Sequence, residues 1–325
     1  MTSPKFAAIL LAIAFVIPVT QARAQAPAWP AQPIKMIIPS TPGGGTDFIG
    51  RLLSTKLAEM NGWTMVPTNR PGAGTALGLA EGAKASPTGY ELVIGQTDNV
   101  SLIPLLLKVS YDPVNDLTPV ALAATTPMVL VVGAQSPFKT LNDAIAAAKA
   151  APDTITYGTS GTGGSAHIAM ELLQSVAGFQ MRHIPYKGSS PALADLVGGH
   201  VGFAATSISS ATALIQGGKL RALAVSSPRR NAALPDVPTV AELGYPKYTF
   251  ITYYGVFGPA GLPPAIVARL NGDINRILGS DDVKKQMHAQ GLEPDPVTPE
   301  AFVALIKADI QKSKGVITAA SIKVE

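Results

Sequence analysis

From Ile34 onward the apolar residues follow a repeating order. A few come consecutively, a glycine- or serine-rich break follows, and then they recur every three or four positions. A short consecutive run predicts a buried strand, and the three-to-four spacing predicts a helix with one apolar face. Residues 34–38 form the first such run, followed by Pro39-Ser-Thr-Pro-Gly-Gly-Gly45 and a helix over about 47–60 carried by Phe48, Leu52, Leu53 and Leu57. Asp47 suits the first turn of that helix, where a carboxylate complements the backbone dipole. The same phrase continues with strands over 63–66 and 90–95 and a helix reaching about 84. A second series has an extended stretch over 120–134 interrupted near 125–127, a helix over 141–150, a strand over 154–157 and a helix over 165–176. Further strands fall at 181–184, 201–205 and 220–225, with a helix around 191–197. Extended chain over 248–257 leads to helices near 264–278, 282–290 and 299–312.

Alternation of strand and helix with short links predicts an α/β protein whose parallel-type sheets are covered by helices on both faces. Two series with helices returning at the end predict two lobes, with crossings near 124–129 and 250–256. The expected division is a leader over 1–24, a first lobe over 25–125, a second over 126–252, and a return to the first over 253–325.

The N-terminus changes the picture of compartment and charge. Lys5 precedes an apolar run from Phe6 to Pro18 that is too short to span a membrane, and Ala22-Arg23-Ala24 supplies a small-x-small site. This is the pattern of a cleaved export signal with the cut after Ala24, hence a periplasmic protein. The leader holds Lys5 and Arg23 and no acid, so its removal lowers the formal charge from +4 to +2. Near-neutrality without basic clusters argues against a nucleic-acid partner. There is no cysteine, which removes disulfides and thiolate chemistry and leaves stability to the core.

Two loops carry the candidate chemistry. Ser40, Thr41, Gly43, Gly44, Gly45, Thr46 and Asp47 belong to the first; Ser160, Gly161, Thr162 and Gly163 belong to the second. Each follows a strand, is rich in glycine and hydroxyl groups, and opens a helix. Such a loop can hold a carboxylate or phosphate through main-chain N–H groups and hydroxyls without any lysine. Ligands in open α/β sheets sit beyond the carboxyl ends of strands. Further candidates at such ends are Thr97, the Thr206–Ser210 hydroxyl cluster with Thr206 and Ser207, Lys187 in the turn after a strand, and His167 near a helix start. Tyr253 and Tyr254 lie on a proposed crossing and could wall the cleft. Neither loop is a P-loop, Gly72-Ala-Gly74 lacks the spacing of a dinucleotide fingerprint, and Ser160 is not in Gly-x-Ser-x-Gly. His167, His183, His200 and His288 show no metal spacing, so neither metal nor cofactor is expected.

Several blocks together resemble one family along nearly all of the chain after the leader: Trp29-Pro-Ala-Gln-Pro-Ile-Lys-Met-Ile-Ile-Pro39, Pro42-Gly-Gly-Gly-Thr-Asp47, Asn69-Arg-Pro-Gly-Ala-Gly74, Tyr157-Gly-Thr-Ser-Gly-Thr-Gly-Gly164, His183-Ile-Pro-Tyr-Lys-Gly188, Gly218-Lys-Leu-Arg-Ala-Leu-Ala-Val225 and Leu234-Pro-Asp-Val-Pro-Thr239. The pattern is similar to the Bug family, the extracytoplasmic receptors of tripartite tricarboxylate transporters. The resemblance implies a two-lobed, type II-like Venus-flytrap fold with crossing hinge strands. It also implies a carboxylate gripped between the loop at Ser40–Asp47 and the loop at Gly158–Gly164, the ligand being a di- or tricarboxylate or an aromatic acid. Two departures, Ala204-Ala-Thr-Ser207 where the family often has an aromatic-acidic-Asn segment and Tyr254 where it often has Trp nearby, prevent transfer of any relative's ligand. The expectation is therefore a monomeric solute-binding protein, not an enzyme, whose partners are a small organic acid and membrane transporter subunits. The alternatives are a receptor presenting its acid to a sensor, or a hydrolase using Ser160 or His167.

Overall fold

The computed structural model describes residues 29–319 and 322, so the expected leader and its cut site lie outside the described residues. In chain order the elements are β1 (Ile34–Ile38), α1 (Gly45–Asn61), β2 (Met65–Asn69), α2 (Ala76–Ala83), β3 (Glu91–Gln96), α3 (Ile103–Leu106), β4 (Leu117–Gly133), α4 (Leu141–Ala150), β5 (Thr156–Thr159), α5 (Ser165–Ala177) and β6 (Arg182–Pro185). They continue with α6 (Ser189–Gly198), β7 (Phe203–Ser207), α7 (Ile208–Gln216), β8 (Leu220–Val225), β9 (Ile251–Pro259), α8 (Pro264–Gly279), α9 (Asp281–Ala289), β10 (Glu293–Pro294) and α10 (Pro299–Ala319). A single π-type turn over Asp98–Leu102 leads into α3. That turn, α3, α7 and β10 are absent from the sequence expectation: all are short, and in the turn and in α7 the polar pairs Asp98-Asn99 and Ser209-Ser210 break the apolar spacing.

The strands run β2-β1-β3-β9-β4-β7-β5-β6, with β8 and β10 also on β4. The expected parallel pairing holds for β1 with β2 and β3, and for β5 with β6 and β7. It fails for β4 and β9, whose ladders are all antiparallel. The physical reason is that these strands return the chain between lobes instead of closing a βαβ unit. β4 is also continuous where the sequence suggested an interruption at Thr125-Thr126-Pro127. Its first part pairs with β9 from Leu117 to Pro127, and from Met128 onward it pairs with β7 and β8. Pro127, which lacks an N–H, thus stands where one strand passes from the first sheet to the second.

Alternation along β4 sends its side chains into separate cores. Met128, Leu130 and Val132 face a core with α4 and α5, while Val129 and Val131 face another with α6 and α7. In the first lobe Ile34, Met36 and Ile38 of β1 join α1 and α8 on one face. Ile37 points to the opposite face, with α2, Phe257 and Phe302. The period-two reversal on a sheet covered on both sides explains why four of the five positions of β1 are apolar, the exception being Lys35, which pairs with Glu81 and Glu91. The C-terminal segment does not stay with the first lobe: Phe302 and Ile306 sit in its core, but Val316, Ile317 and Ile322 pack against the core of the second.

One close contact fixes how α10 meets β9. A Cβ on Gly255 would lie 2.2 Å from Phe302 Cζ and 3.0 Å from the carbonyl oxygen of Ala121, neither of which has room to withdraw. Gly255→Ala should therefore lower stability by about 1–3 kcal/mol, the usual range for an overpacked core. A urea titration would read this as a lower midpoint with unchanged slope; an unchanged midpoint would mean that Phe302 can leave its seat at no cost.

Candidate functional site

The carboxyl ends of β1 and β3 and the start of α1 build one wall. Gly43 has φ +95°, which lets the loop turn into α1, and α1 begins without a side-chain cap on its first N–H groups. By contrast α4 carries a full capping box from Thr140 and Asp143. An uncapped, glycine-led helix start leaves its donors to be satisfied from outside the helix. Asp47 is buried and holds the loop in shape: its carboxylate accepts from Gly43 N–H (3.1 Å), Arg51 Nε (2.9 Å) and Asn69 Nδ2 (2.9 Å). Asn69 Nδ2 also donates to the carbonyl of Ser40 (2.9 Å). Burial pushes the Asp47 carboxyl up, but the donors Asn69, Gly43 and Arg51 outweigh it and keep its pKa below the ordinary value. Asp47 thus faces its own loop and positions it. Thr41 and Gly43 are exposed, Gly44 is half-buried, and Gly45 and Thr46 are buried.

The second wall comes from β5, α5, β7 and α7. Ser160 and Thr162 are exposed at the tip of the β5–α5 loop, Gly161 is half-buried and Gly163 is buried. The carbonyl of Ser160 accepts from Gly188 N–H (3.2 Å), which ties the loop to the next turn, where Lys187 is exposed. His167 lies beneath the loop, its Nδ1 accepting from Gly163 N–H (3.0 Å). Its ring stacks on His183 at 4.0 Å between centroids, and His183 stacks in turn on Tyr157 at 5.0 Å. His183 Nε2 is 2.7 Å from the Thr159 hydroxyl. Burial, and then the neighbouring His167, push His183 down to about 3; burial likewise lowers His167, with Glu171 opposing. Both histidines are therefore neutral supports of the loop, committed to Gly163 and Thr159. Like α1, helices α5 and α7 start without a cap from their own side chains.

The two walls meet. A Cβ on Gly45 would lie 2.9 Å from Tyr254 Oη and 3.3 Å from Ser209 Oγ, so only glycine permits this approach between the starts of α1 and α7. A chain of hydrogen bonds crosses beside it. The Thr46 hydroxyl donates to Gln96 Oε1, and Gln96 Nε2 donates to Asp98 Oδ2 (3.2 Å). Asp98 Oδ1 accepts from Ser165 N–H (2.6 Å) and from the Ser165 hydroxyl. A carboxylate of the first lobe thus caps the helix that opens the second loop. Burial raises the Asp98 pKa, with Ser165 and Gln96 as the opposing donors, and no Lys, Arg or His pairs with it among the described residues.

The other candidates divide between support and exposure to the cleft. The Thr97 hydroxyl accepts from Tyr253 N–H (2.9 Å) and so fastens β9 to the end of β3. Tyr253 points away, its hydroxyl 2.9 Å from Ser101 Oγ. Tyr254 packs in the first-lobe core with its hydroxyl at Gly45, and burial, then the charge of Asp98, raises its pKa. Ser207 Oγ lies 3.2 Å from Ser209 Oγ and 2.9 Å from Ser210 Oγ. The buried hydroxyls of Ser40, Thr75 and Thr206 have no partner within the protein. Sequence reasoning did not select Gln96, Asp98, Ser165 or Thr75, and Ser209 entered only as part of the Thr206–Ser210 cluster. The available signal was the polar run Gln96-Thr97-Asp98-Asn99 at a strand end, of which only Thr97 was chosen. Hollows of about 380, 450 and 760 Å³ lie elsewhere: beside Leu107 and Tyr111, behind the hinge at Pro127 and Arg230, and between α4 and α5 at Lys149.

Similarity to known proteins agrees with this architecture. Protein BugT of Bordetella pertussis is 37% identical over 294 residues, covering 89% of this chain and 89% of BugT. A Rhodopseudomonas palustris protein solved with adipate superposes with a TM-score of 0.86 at 32% identity, covering 91% of this chain and 99% of that one. MatC from the same organism, solved with bound malate, gives a TM-score of 0.81 at 29% identity, covering 89% of this chain and 100% of MatC. The model of the tripartite tricarboxylate transporter family receptor matches residues 49–322. With a fold of this topology and a match over most of its length, the chain belongs to the tripartite tricarboxylate transporter receptor family, the Bug-type solute-binding proteins.

Proposed function

We propose that this protein captures a small carboxylate in the periplasm, between its two lobes, and delivers it unchanged to membrane transporter subunits. The observation that carries the reading is the meeting of two uncapped helix starts, α1 and α7, with the start of α5, which is capped only from the other lobe by Asp98, at walls that hold hydroxyls without protein partners. A buried hydroxyl left unpaired costs about 1–3 kcal/mol, which a ligand oxygen would recover. Helix starts supply N–H donors and a positive dipole end, so an anion can be held where lysine and arginine are absent from the walls. Arg51 is engaged by Asp47 and Asn69, and Lys187 is exposed on a neighbouring turn. The adipate and malate in the two Rhodopseudomonas relatives are of the same chemical class. Three or four hydrogen bonds to a charged group, at about 1.5–3 kcal/mol each, less the costs of association and closure, suit a micromolar affinity of about −8 kcal/mol. Entry and release need the lobes to part, and β4 at Pro127 is the strand on which that hinge would turn.

Two measurements test the reading. A Cβ on Gly44 meets nothing within 4 Å, and its φ of −93° suits any residue. Gly44→Leu should therefore keep the melting temperature within about 2 °C of the parent. It should also weaken carboxylate binding at least about tenfold, or about 1.4 kcal/mol, in calorimetry. Unchanged affinity would remove the first loop from the site. The second test uses pH. Because the Asp47 pKa is depressed on folding from 3.8, the stability it contributes is full above that value and is lost as pH falls through the folded pKa. Thermal midpoints of the parent should drop more steeply below about pH 4 than those of Asp47→Asn, which should start lower at neutral pH. Parallel curves would show that the loop does not depend on this carboxylate.

A further inference from the structure

We propose that His167 is the positioning residue of the β5–α5 loop: a neutral imidazole with its proton on Nε2 holds the loop in the shape that meets a ligand, and a proton arriving at Nδ1 releases loop and ligand together. This rests on the carboxylate reading above and assigns what supports that site from beneath. Two glycines of the loop have positive φ, Gly161 at +149° and Gly163 at +76°. Neither has a side chain to fix its path, and each is steadied instead by an imidazole below it. Gly163 N–H donates to His167 Nδ1 (3.0 Å). The Thr159 hydroxyl donates to the Gly161 carbonyl (3.1 Å), lies 3.3 Å from Gly161 N, and stands 2.7 Å from His183 Nε2. The two rings lie 4.0 Å apart and 11° from parallel, so one stacked pair carries both glycines.

Acceptance at Nδ1 requires that nitrogen to be bare, so the single proton of the neutral ring sits on Nε2. The surroundings favour this tautomer. Nε2 faces Glu171 Oε1 at 3.7 Å, and that oxygen is held in place by the Tyr157 hydroxyl (2.6 Å) and Gln174 Nε2 (2.8 Å). Among the described residues, the titratable groups around the ring are therefore Glu171 on its own helix, His183 on β6 and Tyr157 on β5. Lys149 of α4 lines the hollow that Glu171 also lines, and Asp98 of the first lobe reaches the same helix start at Ser165. An imidazolium carries donors on both nitrogens. It would set an N–H against the Gly163 N–H and place a charge against the stacked ring of His183. Burial, opposed by Glu171, lowers the His167 pKa from 6.5. The loop-held state thus excludes the proton, and affinity should be full above 6.5 and lost as pH falls through the depressed His167 value.

The test compares His167→Asn with His167→Gln. The Asn side chain keeps an acceptor as many bonds from the backbone as Nδ1, and it does not titrate. The Gln amide reaches to the Nε2 position and leaves Gly163 N–H without its partner. Both variants lose the ring, so the cost of unstacking from His183 is common to them. In calorimetry with adipate, malate, citrate and benzoate at neutral pH, His167→Gln should bind the parent's best acid at least about tenfold more weakly than His167→Asn. From about pH 6.5 to about pH 4, parent affinity should fall at least about threefold relative to His167→Asn, which shares the titration of the acid and of Asp98. Long-range nitrogen–proton NMR of parent protein with isotope-labelled histidine should show His167, assigned through its contact with Gly163, neutral and protonated on Nε2. Should either variant fold poorly, that tautomer and the parent's own loss of affinity in acid decide. Equal affinities of the two variants, or a proton on Nδ1 at neutral pH, overturn the inference and leave the carboxylate reading standing. Parent protein that shows the expected tautomer and binds none of the four acids sinks the carboxylate reading, and the ligand role of His167 with it.

Discussion

A carboxyl group buried between two lobes without a cation beside it must find hydrogen-bond partners to replace its lost hydration. Asp98 meets that constraint through Ser165 and Gln96, and Gln96 in turn binds Thr46. Much of the local architecture follows from this line of contacts. It joins the start of α5 to the end of β3, and beside it the start of α1 comes so close to Tyr254 and Ser209 that only Gly45 fits between them. It also ties each candidate loop to the other, so neither glycine loop is an independent unit. A ligand entering here would exchange hydrogen bonds within an existing network instead of founding a new one.

The frame that allows such a network is the shared strand. Helices and parallel strands of each lobe are assembled locally, but β4 belongs to both sheets and β9 closes the first sheet against it. The passage from one sheet to the other falls at Pro127 and Met128. α10 adds a second tie, since its first half is seated in the core of the first lobe and its last residues rest on the core of the second. The lobes are thus held at two separate places, on one strand and along one helix, and a hinge must accommodate both.

Much of this was legible in the residues. The largely apolar run at Ile34–Ile38, interrupted only by the half-buried Lys35, and the helical spacing after it gave strand and helix, because a strand covered on both faces is apolar at most positions. The crossing strands were also visible, though not their antiparallel pairing, which depends on where the chain goes next and not on local pattern. The supports were the hardest to see. His167 and Asp47 have the chemistry of ligand-binding groups, and sequence alone cannot tell that one turns under Gly163 and the other onto Gly43. Asp98 was overlooked for the opposite reason: an acid has no place in a carboxylate-binding reading of the loops until its partner Ser165 is known. Interlobe contacts are set by tertiary placement across 67 positions of chain, and no periodicity records them.

The aromatic cluster at the far end of the first lobe has an optical consequence. The two tryptophans of the chain, Trp29 and Trp63, stand just before β1 and β2 and pack edge-to-face at 5.2 Å, with Tyr90 before β3 at 6.5 Å from Trp29. They therefore sit at the amino ends of the same strands whose carboxyl ends form the cleft, roughly a strand's length of 17 Å away. Arg269 covers the Trp63 ring at 5.5 Å and completes the enclosure. Intrinsic fluorescence excited at the indole band would thus monitor the integrity of the first lobe and stay nearly silent to events between the lobes. An emission probe of lobe movement has to be introduced on the second lobe, where nature placed no indole.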